Sequence, residues 1–481
     1  MKLLETFDAL LRQWRGVFGQ QRTFARARRL TFGLLGCLRV HLLSTAICAS
    51  GRQFQDWSAD YRLCSRRRWE PRQLFGVVLD RLPGLLPTAQ APVLAAIDDT
   101  ILKKTGRRIP GVKVLRDPMS PPFHVNFCYG LRFVQVSVLV SPRQQAGPAR
   151  ALPVRFDFAP PANKPKKNAG AQAWEQYKEE QKKRTLTLAG VDAVHSLRAS
   201  LDERPDTGQR QLILSGDGSY TNRTFLQHLP PRTTYIGRIR KDAKLHDPLP
   251  PAAGKPLGRP RRYGPVAPTP EQILEDPSIP VREVTCFVAG QLRRVPVKVL
   301  GPVYWRKSGC DVPVQVIVIK PLGYRLRKGS KLLYRQPAFL ICTDPELDLE
   351  TLVQAYVNRW EIECNHRDEK SLLGVADGQV WNPESVRRLP QLQVAGYSLL
   401  LLASLLSSGF QRTADYFPLP KWRRKSIRPS LLDLLALLRH QIFAAAADSH
   451  LQFRDFAKTN PAVAKSSKKP LTSETLCTVA A

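Results

Sequence analysis

The sequence predicts an α/β protein in which a helical N-terminal region precedes a sheet-based core. Three observations support this: apolar residues recur at helical spacing before residue 88, a nearly continuous apolar run begins at residue 92, and strand-like segments then alternate with helical ones. A continuous apolar run that ends in carboxylates is typical of a central strand buried on both faces. The 481 residues exceed what one core usually organises, so two or three domains are expected.

The composition is strongly basic. Lysine and arginine total 74 against 40 aspartates and glutamates, which gives a formal net charge of +34. Such an excess of one sign repels itself unless a polyanion neutralises it, so nucleic acid is favoured as the partner over an anionic membrane or an acidic protein. An arginine-rich genome would also produce a basic protein, but it explains the clustering of the cations less well.

The sequence argues against a disulfide-rich, zinc-binding, secreted or membrane protein. The nine cysteines form no CxxC pair and the eight histidines have no zinc spacing, so neither a disulfide framework nor a structural zinc site is expected. Glu5, Asp8 and Arg12 interrupt the N-terminal apolar run, which argues against a signal peptide. The apolar run 394–406 is too short to span a bilayer and predicts a buried helix. We therefore expect a soluble cytoplasmic protein with no membrane partner.

Five segments with strand character define the predicted core, and the first and fourth end in aspartate. A helical pattern lies between the third and fourth, a short helix follows the fourth, and a β-rich stretch with a proline-rich start separates the fifth from a last charged helix. This order is the layout of an RNase H-like α/β core with a β-rich insertion before its last catalytic helix. The five segments are PVLAAIDD (92–99), LRFVQVSVLV (131–140), ALPVRFDF (151–158), QLILSGDGS (211–219) and TTYIGRIR (233–240).

Carboxylates at strand ends and on a neighbouring helix suit phosphodiester cleavage. That reaction needs an activated water and relief of charge on the leaving oxygen, which two divalent ions held by Asp and Glu oxygens supply. Asp98 or Asp99, Asp217 and Glu363 meet this description. The residues by themselves do not choose between Asp98 and Asp99, because a one-residue uncertainty in a buried strand leaves both plausible.

Helical periodicity selects Glu363 among the acids of the segment 344–373. At about 100° per residue, Glu361 and Asp368 lie well round the helix from Glu363 and are expected to face solvent. The alternative is an amphipathic helix in which Glu363 makes an ordinary i,i+4 ion pair with Arg359. The narrow stripe that contains Glu363 consists of Tyr356, Arg359, Glu363 and Lys370.

The spacing Tyr356-x2-Arg359-x3-Glu363-x6-Lys370 resembles the YREK signature of a large class of bacterial insertion-sequence DDE transposases. AIDDT (96–100) is similar to the first-aspartate motif of that class, and LSGDGSYTNRTFL (214–226) to the second. The resemblance covers roughly residues 92 to 410, and three motifs in the right order are far more specific than one.

The resemblance implies a role for each matched residue. Asp99, directly before Thr100, would be the first catalytic aspartate, and with Asp217 and Glu363 it would hold two Mg²⁺ ions, for which Mn²⁺ could substitute. Lys103 and Lys104 either add to the phosphate-binding group or are simply exposed. The residues implied to bind DNA phosphates are Tyr356, Arg359 and Lys370.

The function implied is a transposase that cleaves the ends of its element and joins the 3′-hydroxyl to target DNA. Its partners would be double-stranded DNA and a second copy of the chain, in the bacterial cytoplasm near the nucleoid. The alternatives are an RNase H-like nuclease without strand transfer and a catalytically silent DNA-binding protein of transposase origin. A basic RNA-binding scaffold is a weaker alternative, since it makes no use of the acids.

Three further features of the sequence each allow two interpretations. Arginines at helical spacing, at 22, 26 and 29, indicate either a DNA-binding helix or the basic face of a structural bundle. Trp305 and Tyr324 could stack on a base or belong to the core, and the GRPRR segment at 258–262 is a minor-groove arm or a basic loop.

The expected organisation of the chain has five parts. They are a helical region 1–88, a first core segment 89–240, a β-rich insertion 241–343 with a Pro/Arg-rich arm, a second core segment 344–410 with the catalytic helix, and a C-terminal helix with a basic tail 411–481.

Overall fold

The three-dimensional structure is a computed structural model. It describes residues 2–38, 40–121, 123–142, 147–249, 263–308, 313–327, 329–423 and 426–444. The predicted minor-groove arm at 258–262 and the basic tail after 456 lie outside the described residues.

The N-terminal region is helical, as its apolar spacing predicts, and it packs on the rest of the protein. Trp14 is fully buried, and its indole N–H donates to the Leu74 carbonyl at 2.8 Å. Arg26 and Arg29 both pair with buried Asp60, so these two members of the basic pattern stabilise the bundle. The helices are α1 (Leu3–Arg12), α2 (Gln21–Gly36), α3 (Leu43–Ala49), α4 (Ser58–Ser65) and α5 (Gly76–Arg81).

The core sheet begins with a long, largely buried strand. The strands are β1 (Val93–Lys103), β2 (Lys113–Arg116), β3 (Phe127–Val140), β4 (Arg150–Phe158), β5 (Leu212–Gly216) and β6 (Thr233–Arg238). Their spatial order is β4-β3-β1-β5-β6, with β3 antiparallel to β1 and with β5 and β6 parallel to it. The intervening helices are α6 (Ala171–Lys183), α7 (Leu186–Asp202), α8 (Pro205–Gly208) and α9 (Arg223–Gln227). This mixed sheet is compatible with an RNase H-like fold.

The β-rich stretch after β6 extends the same sheet. Strand β14 pairs antiparallel with β6, and β11 and β10 follow it outward, so the sheet has 12 strands within the described residues. The elements are β7 (Leu245–His246), β8 (Val266–Ala267), α10 (Pro270–Glu275), β9 (Arg282–Val288), β10 (Gln291–Trp305), β11 (Val314–Ile319), β12 (Gly323–Tyr324), β13 (Leu333–Tyr334) and β14 (Ala338–Cys342).

The predicted charged helix is two helices, α11 (Leu349–Asn358) and α12 (Trp360–Ser371), which meet at Arg359. Asp348 caps α11 by accepting a hydrogen bond from the backbone N–H of Thr351 at 2.9 Å. Arg359 itself keeps a helical conformation, with φ −52° and ψ −33°, so the direction of the chain is largely preserved.

Two further helices close the described chain, α13 (Pro383–Ser408) and α14 (Leu431–Ala444). Helix α13 starts earlier than its apolar run predicts, because Asn382 caps it and Pro383 occupies its first position. It is long and apolar enough to cross a membrane, but 94% of its most apolar window is buried inside the protein. Such burial is what a core helix shows. The N-terminal helices, one face of the sheet, α13 and α14 share one apolar cluster.

The two faces of β1 have different neighbours, since side chains alternate along a strand. Ile97 lies in the cluster that includes Val194 of α7. Ala96, on the other face, lies in a small cluster with Ile362 of α12, together with Leu139 and Ala151. Helix α12 is therefore positioned on the sheet through the face of β1 that carries Ala96.

Ile362→Ala tests this contact. Ile362 is fully buried, so its truncation should lower the free energy of unfolding by about 2–5 kcal/mol, measured by urea denaturation. Leu292→Ala, at a position that is 57% exposed, should change it by less than about 0.5 kcal/mol. Equal effects of the two substitutions would contradict the packing of α12 described above.

Candidate active site

The adjacent aspartates of β1 lie on opposite faces of the sheet. Asp98 pairs across the sheet with Gln135, and Asp99 pairs with Val134. Asp98 is two residues beyond Ala96 and so continues the face covered by α12, whereas Asp99 continues the face of Ile97 and α7. The structure therefore separates two residues that the sequence pattern left equivalent.

Asp217 reaches the same edge of the sheet from the neighbouring strand. Strands β1 and β5 are parallel, with Ala96 opposite Ser215. Asp98 lies two residues beyond Ala96, and Asp217 directly follows the last residue of β5, so both acids lie at the carboxyl end of β5. The Asp217 carboxylate accepts hydrogen bonds from the Ser219 backbone N–H at 2.9 Å and from its hydroxyl at 3.1 Å.

Burial and the mutual repulsion of these acids raise the pKa values of the two aspartates of β1. Burial raises the pKa of Asp98, and the charge of Asp217 adds to this increase, while His366 and Arg359 oppose it. Burial, followed by the charge of Asp98, raises the pKa of Asp99 to about 6. The site thus concentrates negative charge in a poorly hydrated place, where a cation would be stabilising.

Arg359 is the cation that the protein itself supplies there. One guanidinium nitrogen lies 2.7 Å from Glu363 Oε1, and the other lies 3.9 Å from Asp98 Oδ2. The Arg359 side chain is only 14% exposed, so this ion pair is largely shielded from solvent. Arg359 therefore links the carboxylate of the helix to the carboxylate of the strand.

The donor set suits a hard divalent cation, because all the acids offer carboxylate oxygens. Within the described part of the chain, no three His, Cys, Asp or Glu side chains are already arranged to hold a metal ion. The Glu363 carboxylate accepts a hydrogen bond from the Arg359 guanidinium at 2.7 Å, and the same guanidinium is within ion-pair distance of Asp98. The chemistry of these oxygen donors fits Mg²⁺ or Mn²⁺.

A histidine–glutamate pair, which the sequence analysis missed, lies beside these acids. Glu369 is fully buried, and one of its oxygens lies 3.3 Å from His366 Nδ1. His366 Nε2 is buried and has no hydrogen-bond partner in the described residues. After burial, His366 is the group with the largest effect on the pKa of Asp98. The spacing of three residues from Glu363 to His366 on one helix was the available sequence signal.

The prediction that Glu361 and Asp368 face solvent is wrong. Glu361 pairs with Arg428 at 2.6 Å. Asp368 is 8% exposed and lies 3.5 Å from the Tyr397 hydroxyl of α13. The physical reason is that α12 is covered on a second side by α13 and by the chain around residue 428, which helical periodicity does not report.

The residues expected to bind phosphates divide between two places. Tyr356 and Arg359 line a cavity of about 900 Å³ between the α11–α12 junction and the strands that extend the sheet. Lys370 lies further along α12, where its ammonium group is within electrostatic range of Asp98 and Asp99. The other charged residues of the cavity are Arg238, Lys320, Arg335, Arg428 and Glu361.

Lys104 has a structural position. It is 7% exposed, and its ammonium group donates to the carbonyls of Ala376 and Gly378 at 2.5 and 2.7 Å. Burial lowers its pKa to about 8, which Asp377 partly offsets. Lys103 is exposed and pairs with Asp117 at 2.6 Å. Neither alternative raised for Lys104, phosphate binding or simple exposure, describes this buried contact.

The two aromatic residues of the β-rich stretch that were considered for base stacking differ in their burial. Trp305 is 7% exposed and lies in the main apolar cluster, so it belongs to the core. Tyr324 is partly exposed, and the Arg335 guanidinium lies 5.6 Å from the centre of its ring. A cation above an aromatic face is stabilising, so this ring face is already occupied.

Lys104→Met tests the structural role of this lysine. The substitution leaves two carbonyls without their donor, so it should lower the free energy of unfolding by at least about 2 kcal/mol in a urea titration. Lys103→Met removes an exposed ion pair and should cost less than about 1 kcal/mol. A Lys104→Met protein that is fully stable but binds DNA weakly would instead support phosphate binding.

Comparison with known families gives a match. A family model described as DDE superfamily endonuclease matches residues 19–297, more than half of the chain. The match includes Asp98, Asp99 and Asp217 and ends before Glu363. A comparison with curated proteins finds no match. Members of this superfamily are metal-dependent nucleases that act on DNA, generally with divalent ions such as Mg²⁺. The chain belongs to the DDE superfamily endonucleases.

Proposed function

We propose that this endonuclease is a DNA transposase that cleaves the ends of its element and joins the freed 3′-hydroxyl to target DNA. The observation that carries the proposal is the position of Arg359 between Asp98 and Glu363, beside Asp217. Three acids and a forked cation at one sheet edge suit two successive phosphoryl transfers, since cleavage and joining stabilise the same kind of transition state.

We propose Asp98, Asp217 and Glu363 as the metal ligands. Asp98 is favoured because it lies on the α12 face and is linked to Glu363 through Arg359. The assignment of Asp99, which follows from the motif resemblance, stays a prediction. Two divalent ions, when bound, activate the attacking oxygen and stabilise the leaving oxygen.

Arg359, Tyr356 and Lys370 would bind phosphates on either side of the scissile bond. Arg359 neutralises carboxylates in the DNA-free protein, and release from Glu363 would leave its planar fork facing the cavity, where it can hold two phosphate oxygens. The cavity has five cations and one carboxylate, Glu361, which is itself paired with Arg428. Such a surface suits the backbone of one DNA strand.

The finer features of this proposal come from the motifs. The spacing from Tyr356 to Lys370 supports membership of the YREK class and an origin in a bacterial insertion sequence. A transposase must hold two element ends together, so we propose that a homodimer forms on DNA. The division into five parts, with the β-rich insertion at 241–343, remains part of the proposal.

Substitution of single acids tests the site. Glu363→Gln, Asp217→Asn and Asp98→Asn should each reduce Mg²⁺-dependent cleavage of element-end DNA more than about 100-fold, since even groups that only orient a metal ligand contribute 10- to 100-fold. Asp99→Asn should reduce it less than about tenfold, and Glu361→Gln is the matched control on the same helix. If Asp99→Asn abolishes cleavage and Asp98→Asn does not, the motif-based assignment is right and the geometric one is wrong.

Strand transfer separates a transposase from a nuclease. Precut element ends incubated with the protein, Mg²⁺ and a supercoiled plasmid should yield ends covalently joined to the plasmid, visible on a denaturing gel, and Glu363→Gln should yield none. Nicked plasmid without joined product would support the nuclease alternative. Tight DNA binding with neither product would support the silent DNA-binding protein.

A further inference from the structure

The hairpin formed by β2 and β3 exposes large apolar side chains that nothing in the described chain covers. Met119 is 84% exposed and Phe123 is 91% exposed, both in the loop between the strands. Phe127 (68%) and Val114 (57%) continue the exposed surface along β3 and β2. Their strand partners are Arg116 and Tyr129, so they share one face of the hairpin. Exposed apolar surface of this extent marks an interaction site.

The loop of this hairpin is held in place by its own hydrogen bonds. The Asp117 backbone N–H donates to the Asn126 carbonyl at 2.9 Å, and the Asp117 carboxylate accepts from the Met119 backbone N–H at 3.1 Å. The same carboxylate pairs with Lys103 at 2.6 Å, which fixes the loop to the end of β1. The two ends of the loop, at Asp117 and Asn126, are therefore preorganised, which lowers the conformational entropy lost on binding.

The hairpin lies at the rim of the candidate active site. Lys103 lies five positions after Asp98 in β1, a distance of roughly 16 Å in an extended strand. The Lys370 ammonium group is within electrostatic range of both Asp98 and Asp117. A DNA duplex with its scissile phosphate at the acids would meet the hairpin within about half a helical turn of the cut.

The charge around the hairpin selects DNA as the occupant. The cations on and beside it are Lys103, Arg107, Arg108, Lys113 and Arg116, and the one acid among them, Asp117, is paired with Lys103. Lys103 belongs to β1, and Lys113 and Arg116 belong to β2, so cations lie on the strands beside the loop and favour a polyanionic partner. A second copy of a chain with a net charge of +34 would instead be repelled from this surface.

We propose that this hairpin is a DNA wedge, in which Phe123 and Met119 insert between base pairs next to the cut site while the surrounding cations bind the flanking phosphates. Apolar side chains inserted at a base step unstack it and bend the duplex. Unstacking would let one strand leave the duplex and follow the cationic cavity towards Arg359. The proposal rests on the proposed function of this site in DNA cleavage.

The test uses a short DNA duplex that carries 2-aminopurine, whose fluorescence increases when the base is unstacked, with Ca²⁺ to prevent cleavage. Full-length wild-type protein should increase the fluorescence, and it should bind a duplex with a two-base mismatch at least about tenfold more tightly than the paired duplex, because the mismatch is already unstacked. The double variant Met119→Ser, Phe123→Ser should lose both effects. Phe54→Ser, at another aromatic residue that is 80% exposed, should keep them.

The outcomes separate the wedge from the function on which it rests. A wild-type protein that binds the paired duplex without a fluorescence change, or a double variant that keeps the preference for the mismatch, overturns the wedge and leaves the nuclease activity untouched. A wild-type protein that is a dimer without DNA and becomes a monomer in the double variant also overturns the wedge, since the hairpin then contacts a second copy.

Glu363→Gln should keep the fluorescence change. A wild-type protein that binds no DNA contradicts the proposed function itself. Equal thermal unfolding of the variants verifies that they are folded.

Discussion

The contact of Arg359 with two carboxylates is the interaction on which the arrangement of the site depends. Asp98 belongs to the central strand and Glu363 to a helix some 260 residues later in the chain; the Asp98 side chain is 18% exposed and the Glu363 side chain 32% exposed. Brought together without a cation they would repel each other strongly, since the local dielectric constant is low. The buried guanidinium removes that repulsion, so the acids can be assembled before any ligand binds.

Apolar packing supports this electrostatic contact. Ile362, directly before Glu363, is buried against Ala96 of the strand that ends in Asp98. The small alanine allows the helix to approach the sheet closely, and the buried isoleucine then determines which side of α12 faces the sheet. Apolar packing thus sets the distance between α12 and the sheet, and the ion pairs of Arg359 hold the carboxylates of the two elements near each other.

The extension of the sheet explains why the site has a cationic cavity. Strand β14 pairs with β6 of the core, so the strands that follow β6 continue one sheet instead of forming a body of their own. That continuity places Lys320 and Arg335 opposite the α11–α12 junction, where Tyr356 and Arg359 lie. The same sheet presents, at its other end, the exposed hairpin of β2 and β3. Both features flank the acids, on opposite sides.

Periodicity and strand order were sufficient to find much of the fold. The buried strand before Asp98 and the order of the core strands along the chain follow from local patterns, because burial of a strand on one face or on both faces imposes a pattern of apolar residues on the sequence. Local patterns predicted the wrong environment where a side chain contacts a further part of the chain. Asp368 and Lys104 resemble solvated charges in the sequence, but α13 covers the first and two backbone carbonyls bind the second.

The sequence by itself determined the type of chemistry: carboxylates at two strand ends, a third on a helix and a basic chain to hold a polyanion. Tertiary structure alone decided which aspartate faces the helix. Asp98 and Asp99 are adjacent and identical in kind, and a strand directs successive side chains to opposite faces. The register of β1 against β3 and the packing of Ile362 on Ala96 place Asp98 on the side of Glu363. That placement is a long-range contact, and no local pattern encodes it.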